Sequence, residues 1–265
     1  MSVPRAAAGD RAAGPWRGWV EGSWPALSAG LLATSLVLAL RPRSWRRPVS
    51  DAFWRHLGFA TLGSLVAVAV AAGVVGIGVV AQALFWLEEF GEDEVVRSTL
   101  MRVLIRELAP ITVGLVMLGR SGLMQLEALA RLREDGTLRV LEAGGLDPCL
   151  FLAMPFVLAL AVATFCNAVV FILLAMVIGY VTAVLIGLNV APWAEFVFAL
   201  TRDLGATGIF VLPLKSILIG LLIGAVVSAT VLQPAQLERR MVLPRGFFRC
   251  LIVLFIVSGT LTLML

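Results

Sequence analysis

Arg106, Glu107 and Lys215 are the side chains best placed to do chemistry, because each falls inside a stretch apolar enough to lie in a membrane. A charge in hydrocarbon costs about 3 kcal/mol on insertion scales, so such residues face a bundle interior or a water-filled cavity. Each adjoins a proline. Pro110 has no N–H to give to the carbonyl of Arg106, and Pro213 leaves that of Ile209 unpaired in the same way. Cations, a carboxylate and freed carbonyls on interrupted helices are the materials of a transport site. The same residues also suit a structural ion pair, Glu107 with Lys215 or with Arg106, that fixes helix register. Both readings stand on the sequence alone, and one pair can be gate and strut together.

Other chemistries find little support. Lys215-Ser216 resembles the end of a phosphate-binding loop, but that motif needs Gly before the Lys and here Leu214 stands there. His56, the single histidine, lies at the inner end of an apolar run and reads as an interfacial residue rather than a ligand. Cys149, Cys166 and Cys250 lack metal-ligand spacing and read as small packing residues. No Ser/His/Asp set or metal cluster occupies the polar loops, so catalytic and metal-binding residues are expected to be none. The basic balance, net +4, is not interleaved with stacking aromatics, and no nucleic-acid partner is expected.

The elements that must hold these residues are membrane helices. The chain is 60% hydrophobic and only 14% charged, against roughly 25% charged in a soluble domain. The expected fold class is all-α integral membrane, with five transmembrane helices preceded by an N-terminal interfacial helix. Residues 1–15 read as a disordered tail rich in Ala, Gly, Pro and Arg, without the compact apolar core of a cleaved signal peptide. Residues 16–48 combine tryptophans, arginines and a short apolar run, Ala26 to Leu40. They read as an interfacial amphipathic helix region.

Residues 49–265 then form the five-helix domain. The first span is expected over Leu57–Leu87, with Gly73, Gly76 and Gly78 allowing close helix approach. It is longer than the roughly 20 residues a span needs, so it must tilt, kink or run past the bilayer. The second runs from about Leu100 to Leu126. Its uncharged middle, Leu108–Gly119, is too short to stand alone in lipid and needs neighbouring helices or a second subunit to shield it. A short amphipathic cytoplasmic helix follows at about 129–143, ended by Gly144-Gly145, with Asp147-Pro148 as N-cap and first position of the third span. The third span reaches about Ile186, with an outer turn at Gly187, Asn189 and Pro192. The fourth is Leu204–Leu232 and the last Gly246–Leu265. The segments on one side carry 15 arginines, and those on the other only Arg97 and Arg202. That asymmetry puts the N-terminus inside and the C-terminus outside.

Taken in order, Arg106-Glu107-Leu108-Ala109-Pro110, Gly119-Arg120-Ser121-Gly122, Leu146-Asp147-Pro148 and Lys215-Ser216 resemble the MlaE/YrbE permeases. These are the membrane subunits of ABC transporters that work with MCE proteins on lipids. The likeness covers roughly Arg46 to Leu265 and implies an MlaE-like permease fold in the bacterial inner membrane. It implies a half-transporter that moves phospholipid or another lipid or hydrophobic substrate and is not itself an enzyme. The implied partners are a cytoplasmic ABC ATPase, a periplasmic MCE-domain protein, a second permease copy or paralogue, and membrane lipids. No cofactor is implied in this chain, ATP and Mg belonging to the ATPase.

By the same likeness, Arg106, Glu107, Pro110 and Lys215 line the substrate pathway. Arg131, Arg133, Arg139, Glu142 and Asp147 couple to the ATPase, and Gly119, Arg120, Gly122 and Pro148 are structural motif positions. The coupling region departs from the family pattern, reading Leu126-Glu127-Ala128-Leu129 and Asp135-Gly136-Thr137. Gly136 inside a helix would cost about 1 kcal/mol relative to Ala. The departure leaves open a divergent half of a heterodimer or a non-transporting, permease-like scaffold. A proton-coupled secondary transporter working through Glu107 is disfavoured, because no internal repeat is visible.

Overall fold

The computed structural model describes residues 24–41, 45–90, 103–144, 149–187, 192–232 and 239–264. Among these the chain is helical, with no strand. The elements are α1 (Trp24–Ala39), α2 (Arg47–Phe90), α3 (Ala109–Met117), α4 (Leu123–Glu134), α5 (Thr137–Ala143), α6 (Met154–Leu185), α7 (Trp193–Leu232) and α8 (Arg239–Met264). Wider π-helical turns at Leu104–Leu108, Leu118–Gly122 and Cys149–Ala153 join onto α3, α4 and α6.

Four helical segments are long and apolar enough to cross a membrane: Arg47–Gln82, Cys149–Leu185, Phe210–Leu232 and Val242–Leu263. The expected second span is not one of them. Its place is taken by a continuous helical run from Val103 through α4, broken by two π turns and carrying Arg106, Glu107 and Arg120. It is shielded by α2, α6, α7 and α8 of the same chain, which bury Ala109, Val113, Met117 and Leu118.

Several boundaries move from where the sequence put them. Helix α2 starts at Arg47 rather than Leu57 and runs for 44 residues, about 66 Å at 1.5 Å per residue. That is twice a hydrocarbon core of roughly 30 Å, so α2 continues well past it. The fourth span, expected from Leu204, belongs to a helix that already begins at Trp193. That helix, α7, runs for 40 residues and accommodates Pro213.

The short helix expected over 129–143 is two helices. Gly136, at φ +73°, ends α4, and α5 begins at Thr137. A left-handed glycine is the common way to stop a helix, so Gly136 is a terminus and not an interior defect. Helix α1 is uncharged, with apolar residues on every face rather than an amphipathic pattern. It packs Leu27 and Leu31 against Cys149, Ala153 and Ala229. The tail 1–15, Asp147 and Pro148 lie outside the described residues.

Small residues set two crossings at which backbone meets backbone closely. A Cβ on Gly76 of α2 would come within 2.6 Å of the Ala175 carbonyl oxygen on α6. A Cβ on Gly220 of α7 would meet Ala161 Cα of α6 at 2.7 Å, and one on Gly224 would meet Val157 Cα at 2.9 Å. In lipid, where hydrophobicity does not drive helices together, such backbone approach and its dispersion energy do the work.

The bundle has two distinct ends. At one, Arg133 Nη1 donates to the carbonyl of Val231, Arg249 sits 5.4 Å over the ring of Trp24, and His56 meets Phe156 edge-on. At the other, Tyr180, Trp193 and Phe196 form an aromatic cluster with centroids 5.0 to 5.9 Å apart.

Candidate functional site: a buried lysine held by three helical segments

The π turn Leu104–Leu108 presents Arg106 and Glu107 to α7 and α8. Pro110, three residues beyond Glu107, denies the Arg106 carbonyl its helical partner. Lys215 Nζ supplies one, donating to that oxygen at 3.0 Å. It also donates to Glu107 Oε2 at 2.7 Å and to Thr262 Oγ1 at 2.9 Å. An ammonium has three protons and no acceptor capacity, so the three contacts satisfy it completely. Thr262 Oγ1 lies 2.7 Å from Glu107 Oε2 and 2.8 Å from the Ser258 carbonyl. Its one proton serves either of those oxygens while it accepts from Lys215.

Burial is uneven across the pair. The Lys215 side chain is 1% exposed and that of Glu107 27%. A fully enclosed cation is thus neutralised by a carboxylate with one side open. Helix α7 carries Lys215 seventeen residues before its end at Leu232, about 26 Å from the basic end at 1.5 Å per residue. The arrangement can hold a charge stably in apolar surroundings. It can also offer the exposed part of Glu107, and the half-buried Arg106 beside it, to a polar group arriving from outside the bundle.

The other candidates fall elsewhere. Pro110 is buried at the start of α3. Gly119, Arg120 and Gly122 all lie on the second π turn. The exposed Arg120 guanidinium lies against Gly63 of α2, its Nε 3.5 Å from where a Cβ would be, and Gly122 packs on Ile223. Arg131 pairs with Glu127 at 2.6 Å on the surface of α4, and Arg133 bonds to α7 as described. Arg139 and Glu142 lie on α5, their side chains outside the described set. The structure therefore brings Arg106, Glu107 and Lys215 together. It places Arg131 and Arg133 at the basic end, away from them.

Thr262 was not singled out by the sequence, and nothing there marks it: a threonine in a last apolar helix is ordinary. Gly220-Leu221-Leu222-Ile223-Gly224 did carry a readable signal, the spacing of two glycines four apart in an apolar helix. Asn167, wholly buried on α6, is a third addition. Its Nδ2 donates to the Ala163 carbonyl at 3.0 Å and lies 3.6 Å from Met117 Sδ.

A search of curated proteins finds no significant match. The family model described as Permease MlaE matches residues 53–264, most of the chain, and takes in the π turn of Glu107, the middle of α7 and Thr262 alike. On that match, and with its membrane-spanning helical bundle, this chain belongs to the MlaE permease family.

Proposed function

We propose that this chain is the membrane half of an ABC transporter, moving phospholipid or another lipid-like substrate between the inner membrane and a periplasmic MCE-domain protein. ATP and Mg act in a separate ATPase subunit, and a second permease copy or paralogue completes the cavity. The observation that carries the reading is the Lys215–Glu107 pair, completed by Thr262 and a proline-freed carbonyl. Arg106 and the open side of Glu107 suit a headgroup, and the apolar helix faces around them suit acyl chains.

The proposed topology has five spans, with the N-terminus in the cytoplasm and the C-terminus in the periplasm. The run from Val103 to Glu134 is the second span. Its Glu107 end meets Lys215 and Thr262, and its Arg133 end meets Val231. The 26 residues between cover about 39 Å at 1.5 Å per residue, enough for a hydrocarbon core of roughly 30 Å. The break at Gly136 favours a modified ATPase contact, as in a divergent half of a heterodimer.

The test is a mild-detergent pull-down of the full chain from its native membrane, with proteins and lipids identified by mass spectrometry. Recovery of an ABC ATPase, an MCE-domain protein and phospholipid is expected. A chain recovered without an ATPase even after crosslinking overturns the reading and leaves the proton-coupled transporter or the non-transporting scaffold.

A further inference from the structure

An apolar recess lies on the face of α7 turned away from Lys215: Ile217, which lines it, is two residues further on, about 200° around the helix at 3.6 residues per turn. It is open on one side, has a volume of about 340 Å³, and is formed where α1 and the start of α2 meet the middle of α6 and α7. Leu36, Trp45, Phe53, Leu158, Phe165 and Leu221 are among its lining residues, and all of its lining residues are apolar. An apolar cavity of roughly 150 Å³ takes one benzene. By that measure this recess holds a run of about a dozen methylenes.

Its mouth is built rather than accidental. Trp45 Nε1 donates to the Ala39 carbonyl at 2.9 Å, tying the residues just before α2 to the end of α1. The Trp45 ring packs edge-on against Phe53 at 5.5 Å. Arg41, Arg46 and Arg47, close in the chain to Ala39 and Trp45, are exposed. Three exposed cations next in the chain to Ala39 and Trp45, which line a tail-sized recess, and a tryptophan of the kind that sits at the headgroup level, make a two-part surface: charge outside, hydrocarbon inside.

We infer that this recess binds one anionic phospholipid from the leaflet facing the basic end, with an acyl chain against Phe165 and Leu221 and its phosphate on Arg41, Arg46 and Arg47. The lipid is a bound constituent and not cargo. It wedges α1 onto the α6–α7 crossing and is chosen by headgroup charge. Neither the transport direction nor the Glu107–Lys215 pair enters this inference, and it stands or falls apart from the proposed function.

The test is native mass spectrometry of the full chain, delipidated in mild detergent and titrated with phosphatidylglycerol or phosphatidylethanolamine. The intact chain is expected to retain phosphatidylglycerol at least tenfold better. Each arginine contributes about fivefold, so Arg41→Gln/Arg46→Gln/Arg47→Gln should bring the two lipids close to equal retention. Val162→Trp, on the recess wall and 40% exposed, should displace both lipids. Equal retention of the two lipids by the intact chain overturns the inference, as does a preference that survives the triple substitution. Loss of the lipid in Lys215→Gln but not in the triple variant assigns it to the lysine site and also overturns it. A dimer that Val162→Trp dissociates, with lipid retention unchanged, shows that a second copy fills the recess instead.

Discussion

Lys215 and Glu107, 108 residues apart in the chain, meet at 2.7 Å with the lysine enclosed and the glutamate about a quarter exposed. That asymmetry makes the two partners unequal when either is lost. Glu107→Leu strands a buried ammonium and is expected to cost about 3–5 kcal/mol. Lys215→Met leaves a carboxylate that is only partly enclosed, and about 1–3 kcal/mol is expected, the scale of an unmet polar group. Thermal unfolding of the purified full chain in detergent checks the order. Equal losses would mean that Glu107 is as enclosed as Lys215.

The double variant Glu107→Leu/Lys215→Met separates strut from pathway. Replacing both members of a buried pair with apolar groups is often close to neutral for stability. Stability should therefore return toward that of the unmodified chain, while lipid transfer by the reconstituted transporter stays lost. Recovery of transfer together with stability would reduce the pair to a register-setting contact.

Thr262 ties α8 to the same network through one hydroxyl. Thr262→Val keeps the shape and removes the hydroxyl, and should cost about 0.5–1.5 kcal/mol. Thr262→Ser should restore most of it. Matched unfolding curves for the three chains provide the check; a serine variant no better than valine would leave the methyl group as the feature that matters.

Glycines on the crossings should differ sharply from glycines facing open space. Gly76→Ala and Gly220→Ala drive a Cβ against backbone at 2.6–2.7 Å, and about 1–3 kcal/mol of overpacking is expected for each. Gly78→Ala meets nothing within 4 Å and should be neutral or gain about 0.5–1 kcal/mol from its helix interior. Yield of monodisperse protein and the unfolding temperature distinguish them.

Gly136 stops α4 in a left-handed conformation that asparagine tolerates and alanine does not. Gly136→Ala should cost about 1 kcal/mol and shift the α4–α5 angle, lowering recovery of any bound ATPase in a pull-down. Gly136→Asn should keep it. Equal recovery from both variants would remove this turn from the ATPase contact.

Much was legible in the residues themselves. A composition of 60% hydrophobic residues and uncharged runs such as Cys149–Ala194 require membrane helices, because the bilayer offers no water to backbone groups. Pro110 identifies a freed carbonyl from chemistry alone. The ordered motifs around Glu107, Arg120 and Lys215 pointed to the permease family that the family model independently matches. What the sequence by itself determined, then, is the solvent, the helical class and the ionisable groups that must find partners. Only the tertiary structure decided which partners. Whether Glu107 takes Lys215 or Arg106 depends on helix rotation and depth, set by close approaches such as Gly220 on Ala161 and Gly76 on Ala175. Thr262 enters the network because α8 passes beside α7 at that depth, a long-range coincidence that no local pattern encodes. The π turns and the break at Gly136 are likewise outcomes of packing, since the same residues satisfy a continuous helix until neighbours and a proline favour the wider turn.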